Sequence, residues 1–165
     1  MFHRASVARL VVDPESNQPV VVLKLEEGDG IVPIWIGILE AAAIASELRG
    51  DKYDRPMTHD LFKNFMGLLD IHVSRVDVCE LKDSTYYAEI HFISKDNTFA
   101  MDARSSDAIA MALRFDAPIY VDESVISRSK ETTDGAEVLD KSKDGEKWAD
   151  YLKQLDPEDF GKYKV

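Results

Sequence analysis

Residues 71–93 read IHVSRVDVCEL-KDS-TYYAEIHFI. Val73, Val76 and Val78 alternate with polar residues, Lys82-Asp83-Ser84 is a turn cluster, and Thr85–Ile93 returns. On the return, Tyr86, Ala88, Ile90 and Phe92 share one face, and Tyr87, Glu89 and His91 share the other. A period of two with an apolar and a polar face marks an antiparallel hairpin with one side buried. Upstream, 4–12, Val20–Leu25 and Ile31–Ile36 read as a three-strand meander with turns at Asp13–Asn17 and Glu27–Gly30. The β-branched run of the second strand fits burial on both faces, and Pro33 fits an edge or a bulge in the third. Downstream, Thr98–Met101 and Pro118–Val121 complete the strands.

Three helices lie between them. Ile38–Leu48 has apolar residues at 41, 44, 45 and 48, and Gly50 fits as its terminator. Thr58–Leu69 carries Leu61, Phe62, Phe65, Leu68 and Leu69 on one stripe, with Thr58 as its expected cap. The third runs from Ser105 to Arg114, and one more helical turn is expected over Asp122–Ile126. The expected fold is α+β: a mixed, mainly antiparallel sheet with about three helices packed on it, plus a C-terminal helical tail. The domain is assigned to 1–126, a flexible linker to 127–145, and an amphipathic helical segment to 146–165, where Trp148, Tyr151, Leu152 and Leu155 recur at helical spacing.

The 165 residues carry 20 Lys+Arg against 31 Asp+Glu, a formal net charge of −11. Of these, 12 basic and 21 acidic residues lie in 1–126, so the acidity belongs to the folded body. That excludes coating of nucleic acid by bulk electrostatics, which needs a basic face, but not a small local basic site. A single cysteine, Cys79, excludes an intrachain disulfide framework. Within its strand it reads as a small hydrophobe. The longest apolar run, Ile31–Leu39, is too short for a membrane span, and the first dozen residues lack a signal-peptide core, so a cytoplasmic location without membrane contact is expected.

Two segments share a local plan: Arg55-Pro56-Met57-Thr58-His59-Asp60 and Asp102-Ala103-Arg104-Ser105-Ser106-Asp107. In each an arginine precedes a helix, a hydroxyl residue stands at the cap and an aspartate falls in the first turn. Helix N-termini offer free N–H groups and partial positive charge, and an arginine adds donors suited to phosphate. Arg55, Arg104, Thr58 and Ser105 are therefore candidate anion-binding residues; the same residues also serve as ordinary caps and ion pairs. Glu40, Asp60, Glu89, Asp102 and Asp107 lie at element ends or on a polar face. One or two such carboxylates suit Mg²⁺ or Mn²⁺, with Glu40 and Asp102 as the metal candidates. His59 is a candidate general base, and His72 and His91, on neighbouring strands, are a candidate facing pair. No zinc spacing, P-loop, nucleophile elbow or dinucleotide fingerprint occurs, and no organic cofactor is expected.

The ordered set Pro33-Ile34-Trp35-Ile36-Gly37, Glu40-Ala41, Arg55–Leu61, Thr85-Tyr86-Tyr87-Ala88, Asp102–Ala110 and Pro118-Ile119-Tyr120-Val121 resembles the bifunctional nuclease domain family over roughly 5–126. Ser105 departs from that pattern, where proline often follows the arginine. The resemblance implies an α+β fold that self-associates, and a nuclease acting on RNA or DNA. On that reading His59, Asp60 and Asp107 are catalytic, Arg55 and Arg104 hold phosphate, and Glu40 and Asp102 hold the metal. The competing expectation is a non-enzymatic homo-oligomeric binding module, with anion sites at helix N-termini and Trp35, Tyr86 and Tyr87 as interface anchors.

Overall fold

The computed structural model describes residues 1–133. The strands are β1 (Phe2–Val12), β2 (Pro19–Leu25), β3 (Ile31–Trp35), β4 (His72–Lys82), β5 (Thr85–Ile93), β6 (Thr98–Arg104) and β7 (Ile119–Asp122). The helices are α1 (Ile38–Arg49), α2 (Thr58–Leu68), α3 (Ser105–Phe115) and α4 (Glu123–Thr133). The strands form one seven-stranded sheet in the order β3-β2-β1-β7-β4-β5-β6. All neighbours are antiparallel except β4 and β7. The α+β expectation holds, with four helices among the described residues where about three were expected.

Local chemistry accounts for the elements. Asp83 and Ser84 both take positive φ in the β4–β5 turn, the conformation that matches the right-handed twist of a two-residue hairpin. Gly50 ends α1 with φ 69°, and its N–H reaches the carbonyls of Ser46 and Glu47. Pro33 lies on the edge strand β3, where a missing ladder donor costs little. All of β2 except Lys24 is buried, so both its faces are covered.

Two boundaries differ from expectation. β6 runs on through Arg104 and passes directly into α3, because its pairing with β5 continues to Tyr87↔Arg104. The helical turn expected at 122–126 continues to Thr133, into the stretch expected to be linker. Its continuation is anchored by Ser129, which is buried, and by Arg128, which donates to the Leu81 carbonyl at 2.7 Å. The amphipathic segment at 146–165 lies outside the described residues.

The core sits between the sheet and the helices. Val21, Leu23, Val32, Ile34, Val76, Val78 and Val121 meet Ile44, Ile109, Met111 and Val125 in one cluster. The sheet curls enough for the Tyr86 hydroxyl, at the start of β5, to donate to the Pro33 carbonyl of β3 at 2.7 Å. Burial pushes that phenol up to about 12. Tyr86 thus braces the fold internally.

A buried arginine joins the helices. Arg114, in the last turn of α3, is 5% exposed. It donates to Asp60 of α2 at 2.6 Å, to the Ala43 carbonyl of α1 at 3.2 Å and to the Ala110 carbonyl at 3.1 Å. Removing one partner of such a pair strands the other charge away from water. Asp60→Ala is expected to cost about 2–4 kcal/mol, a fall in Tm of several degrees. Asp51→Ala, which breaks the solvent-facing pair with Arg49, is expected to cost under about 1 kcal/mol. Thermal unfolding followed by circular dichroism checks both.

Candidate active site

Three helices present an acid at the same position. Glu40, Asp60 and Asp107 are each the third residue of α1, α2 and α3. There the partial positive charge of the helix start favours a carboxylate. Each of the three reaches a guanidinium, and two reach the same one. Arg104 stands in the position before α3 and donates from Nε to Asp107 Oδ2 at 2.7 Å and from Nη1 to Glu40 Oε1 at 2.8 Å. Asp107 Oδ1 lies 3.0 Å from His59 Nε2. The result is a continuous chain, Glu40–Arg104–Asp107–His59, drawn from α1, the β6–α3 junction and α2.

The electrostatics follow from the contacts. Burial pushes the Asp107 carboxyl up, but hydrogen bonds from Arg104 and His59 more than offset it and leave it below its ordinary value. Hydrogen bonding to Asp107, then its charge, holds the Arg104 guanidinium above its own. An ionised Asp107 only accepts, so His59 donates through Nε2, which in the neutral ring puts the lone pair on Nδ1. Gly37, the residue before α1, has a role here. A Cβ on it would collide with Glu40 Oε2, so glycine leaves room for the carboxylate to fold back over the helix start and face Arg104.

This chain lies along a cleft of about 650 Å³. Leu39, Phe62 and Met101 give the cleft apolar walls, and Glu40, Asp102, Asp107, Arg104, His59 and Arg114 are its charged or imidazole lining. Thr58 and Ala103 also line it.

The site residues expected from sequence divide accordingly. His59, Asp107, Arg104 and Glu40 meet directly, and Asp102 lines the same cleft. Asp60 does not join them: its Oδ1 holds Arg114 and its Oδ2 accepts the Met57 N–H at 3.1 Å. Arg55 is exposed in the loop before α2 and does not line the cleft. Thr58 and Ser105 are the first residues of their helices; Met57 and Arg104 hold the cap positions, and neither hydroxyl caps its helix. Ser105 is buried. Arg114 was not expected. Its only sequence signal is a cation between Leu113 and Phe115 in an otherwise apolar helix, which also reads as an ordinary C-terminal dipole partner.

Two other expectations are settled by register. His72 and His91 do not face each other: His91 pairs with Arg75 and bonds Asp77 at 2.8 Å, while His72 packs edge-on against Phe115. Cys79 is half-buried, and burial pushes its thiol up, away from reactivity.

Among the described residues, no three His, Cys, Asp or Glu side chains form a group able to hold a metal ion. What the cleft offers a cation is carboxylate from Glu40 and Asp102, which suits an ion that arrives with water and phosphate rather than one caged by protein. Among the described residues no helix is long and apolar enough to cross a membrane.

An α+β fold thus sets a His–Asp pair and an arginine side by side along a cleft. The chain belongs to the bifunctional nuclease domain family, whose model matches residues 21–134. It is 36% identical over 159 residues to an uncharacterized protein of Mycobacterium tuberculosis, covering 93% of this chain and 95% of that one. It is 27% identical to bifunctional nuclease 2 of Arabidopsis thaliana over 74% of this chain, and 27% identical to bifunctional nuclease 1 of Oryza sativa subsp. japonica over 64%. The matches span 37% and 33% of those plant proteins, so about a third of their length corresponds to this chain.

The lowered Asp107 gives a pH signature. A carboxyl whose folded value is depressed stabilises the fold fully above its unfolded value and loses that contribution as pH falls through the folded one. Asp107→Asn is expected to destabilise by about 1–2 kcal/mol at pH 7, and the difference from wild type is expected to shrink below about pH 4. Urea midpoints at pH 7 and pH 3 check it.

Proposed function

We propose that the cleft hydrolyses phosphodiester bonds of RNA or DNA, with His59 as general base. The observation that carries this reading is the His59–Asp107 hydrogen bond at 3.0 Å along the cleft. Asp107 fixes the ring and its tautomer, and the Nδ1 lone pair takes the proton from a water that attacks phosphorus. Asp107 also stabilises the imidazolium that forms, which then returns a proton to the leaving oxygen. Arg104 keeps Nη2 for a phosphate oxygen, because Nε and Nη1 are held by Asp107 and Glu40. Glu40 keeps that guanidinium in place.

The charge of the cleft shapes the rest. Glu40, Asp102 and Asp107 line it with Arg104 and Arg114, and Arg114 is neutralised by Asp60. A polyanion approaching three carboxylates and one available guanidinium needs a compensating cation. Mg²⁺ or Mn²⁺, held by Glu40 and Asp102, would supply that charge at the phosphate. The apolar wall of Leu39, Phe62 and Met101 suits an unstacked base, which favours single-stranded substrate.

The test is cleavage of labelled single-stranded RNA and DNA by purified protein with Mg²⁺, Mn²⁺ or chelator. His59→Ala is expected to lose about 10²–10⁴-fold, with comparable loss in Arg104→Ala. Chelator is expected to abolish cleavage, and Arg55→Ala to stay near wild type. Equal trace activity in wild type, His59→Ala and Arg104→Ala overturns the reading.

A further inference from the structure

The cleft holds few places for phosphate. Of its two arginines, Arg114 is buried and bonded to Asp60, and Arg104 has Nη2 left once Asp107 and Glu40 are satisfied. Its carboxylates, Glu40, Asp102 and Asp107, repel phosphate, and among the described residues no lysine lines it. The surface beside the cleft adds no cation. α2 turns its polar side inward, where His59 bonds Asp107, Asp60 bonds Arg114 and Lys63 donates to the Arg114 carbonyl. Its apolar stripe is left outside, with Phe65 at 55% and Leu68 at 84% exposure, and Phe62 joins that stripe to the cleft wall. Leu39 and Met101, on the other walls, are exposed as well. A strand leaving the cleft over these walls meets leucine, phenylalanine and methionine. Farther off, Arg4, Arg49 and Arg75 each pair with an acid. Residues 134–165 hold 6 lysines against 9 acids, so they bring no net positive charge.

We propose that the cleft takes dinucleotides and trinucleotides in preference to long chains. The proposal rests on the nuclease reading and names its substrate class. Proteins that hold long single strands track the backbone with a basic groove over roughly 4–16 nucleotides. Here one guanidinium donor faces the cleft, which matches one phosphate. A cleft of about 650 Å³ is the size that encloses a single small ligand, and a phosphodiester between two nucleosides is such a ligand. Its base lies on the apolar wall, its phosphate meets Arg104 Nη2, and the molecule ends there. Each further phosphate adds a negative charge beside a body of 12 basic and 21 acidic residues and gains no partner. In the reaction, the water oxygen bonds to phosphorus and the bond from phosphorus to one sugar oxygen breaks. His59 takes the water proton and the sugar oxygen receives one, so a dinucleoside monophosphate leaves as one nucleotide and one nucleoside.

The test is a length series given to the full chain with Mn²⁺: a single-stranded dinucleotide, a trinucleotide and an oligomer of about 20 residues, longer than a strand-binding groove spans. Per bond, kcat/KM is expected to be at least tenfold lower for the long oligomer than for the trinucleotide. Raising salt from about 50 to 200 mM is expected to weaken binding about threefold at most, as for one engaged phosphate, where a groove that holds six loses on the order of 300-fold. A smaller fall with length, a rise with length, or a steep salt dependence overturns the proposal. If no oligomer is cleaved, the nuclease reading fails, and titration calorimetry of wild type with the same oligomers decides this one. A trinucleotide held more tightly than the long oligomer, and lost in Arg104→Ala with unchanged far-ultraviolet circular dichroism, supports it. No binding, or binding of the long oligomer that is as tight or tighter, overturns it.

Discussion

The position of α2 depends on the guanidinium of Arg114. It is buried among three helices, and each gives it an oxygen: Asp60 from α2, the Ala43 carbonyl from α1 and the Ala110 carbonyl from α3. A buried cation tolerates little displacement of its partners, because every lost contact exposes it to a medium that solvates charge poorly. That demand fixes where α2 begins, and with it the location of His59. The residue next to Asp60 then meets Asp107, and the cleft acquires its acid–base pair. An apolar contact would hold α2 as tightly but would not specify its rotation so sharply.

Placing acids at the third residue of α1, α2 and α3 solves two problems together. It sets negative charge at the starts of helices that lack hydroxyl caps, and it gathers carboxylates around two arginines. Asp60 and Asp107 look alike in sequence, each in the first turn after an arginine. Their partners separate them. Asp60 faces a sealed guanidinium and holds the fold, whereas Asp107 faces an exposed guanidinium and an imidazole beside open space.

Much of this was legible from residue order. The alternation in 71–93 defines a hairpin, the β-branched run of β2 reports burial on both faces, and Gly50 marks the end of α1. Arg104, Asp107, His59 and Glu40 carry their chemistry in their side-chain types, so their candidacy was readable too. Their meeting was not, because it joins residues 64 and 48 positions apart through the packing of three helices. Arg55 matches Arg104 in local pattern, yet it precedes a loop-borne helix start and Arg104 ends a strand; only the strand delivers its arginine to the cleft. Periodicity likewise gave the α2 stripe without the side it faces, since spacing is the same whether a helix buries its apolar or its polar residues. Arg114 was opaque for a related reason: a lone cation in a last turn is ordinary until its surroundings are known.

The order of strands has a consequence for how the chain reaches this state. β1–β3 and β4–β6 are each built from neighbours in sequence, so each half can pair through short turns. β7, made from Ile119–Asp122, is the strand that joins them, lying between β1 and β4. Its pairing with Phe2–Ala5 closes a loop of more than a hundred residues. Loop closure of that length precedes any reward from the contacts it forms, which makes this step slow beside hairpin formation. During synthesis both half-sheets are therefore exposed at their inner edges until residue 122 has emerged, and that interval is where misassembly between chains competes with folding.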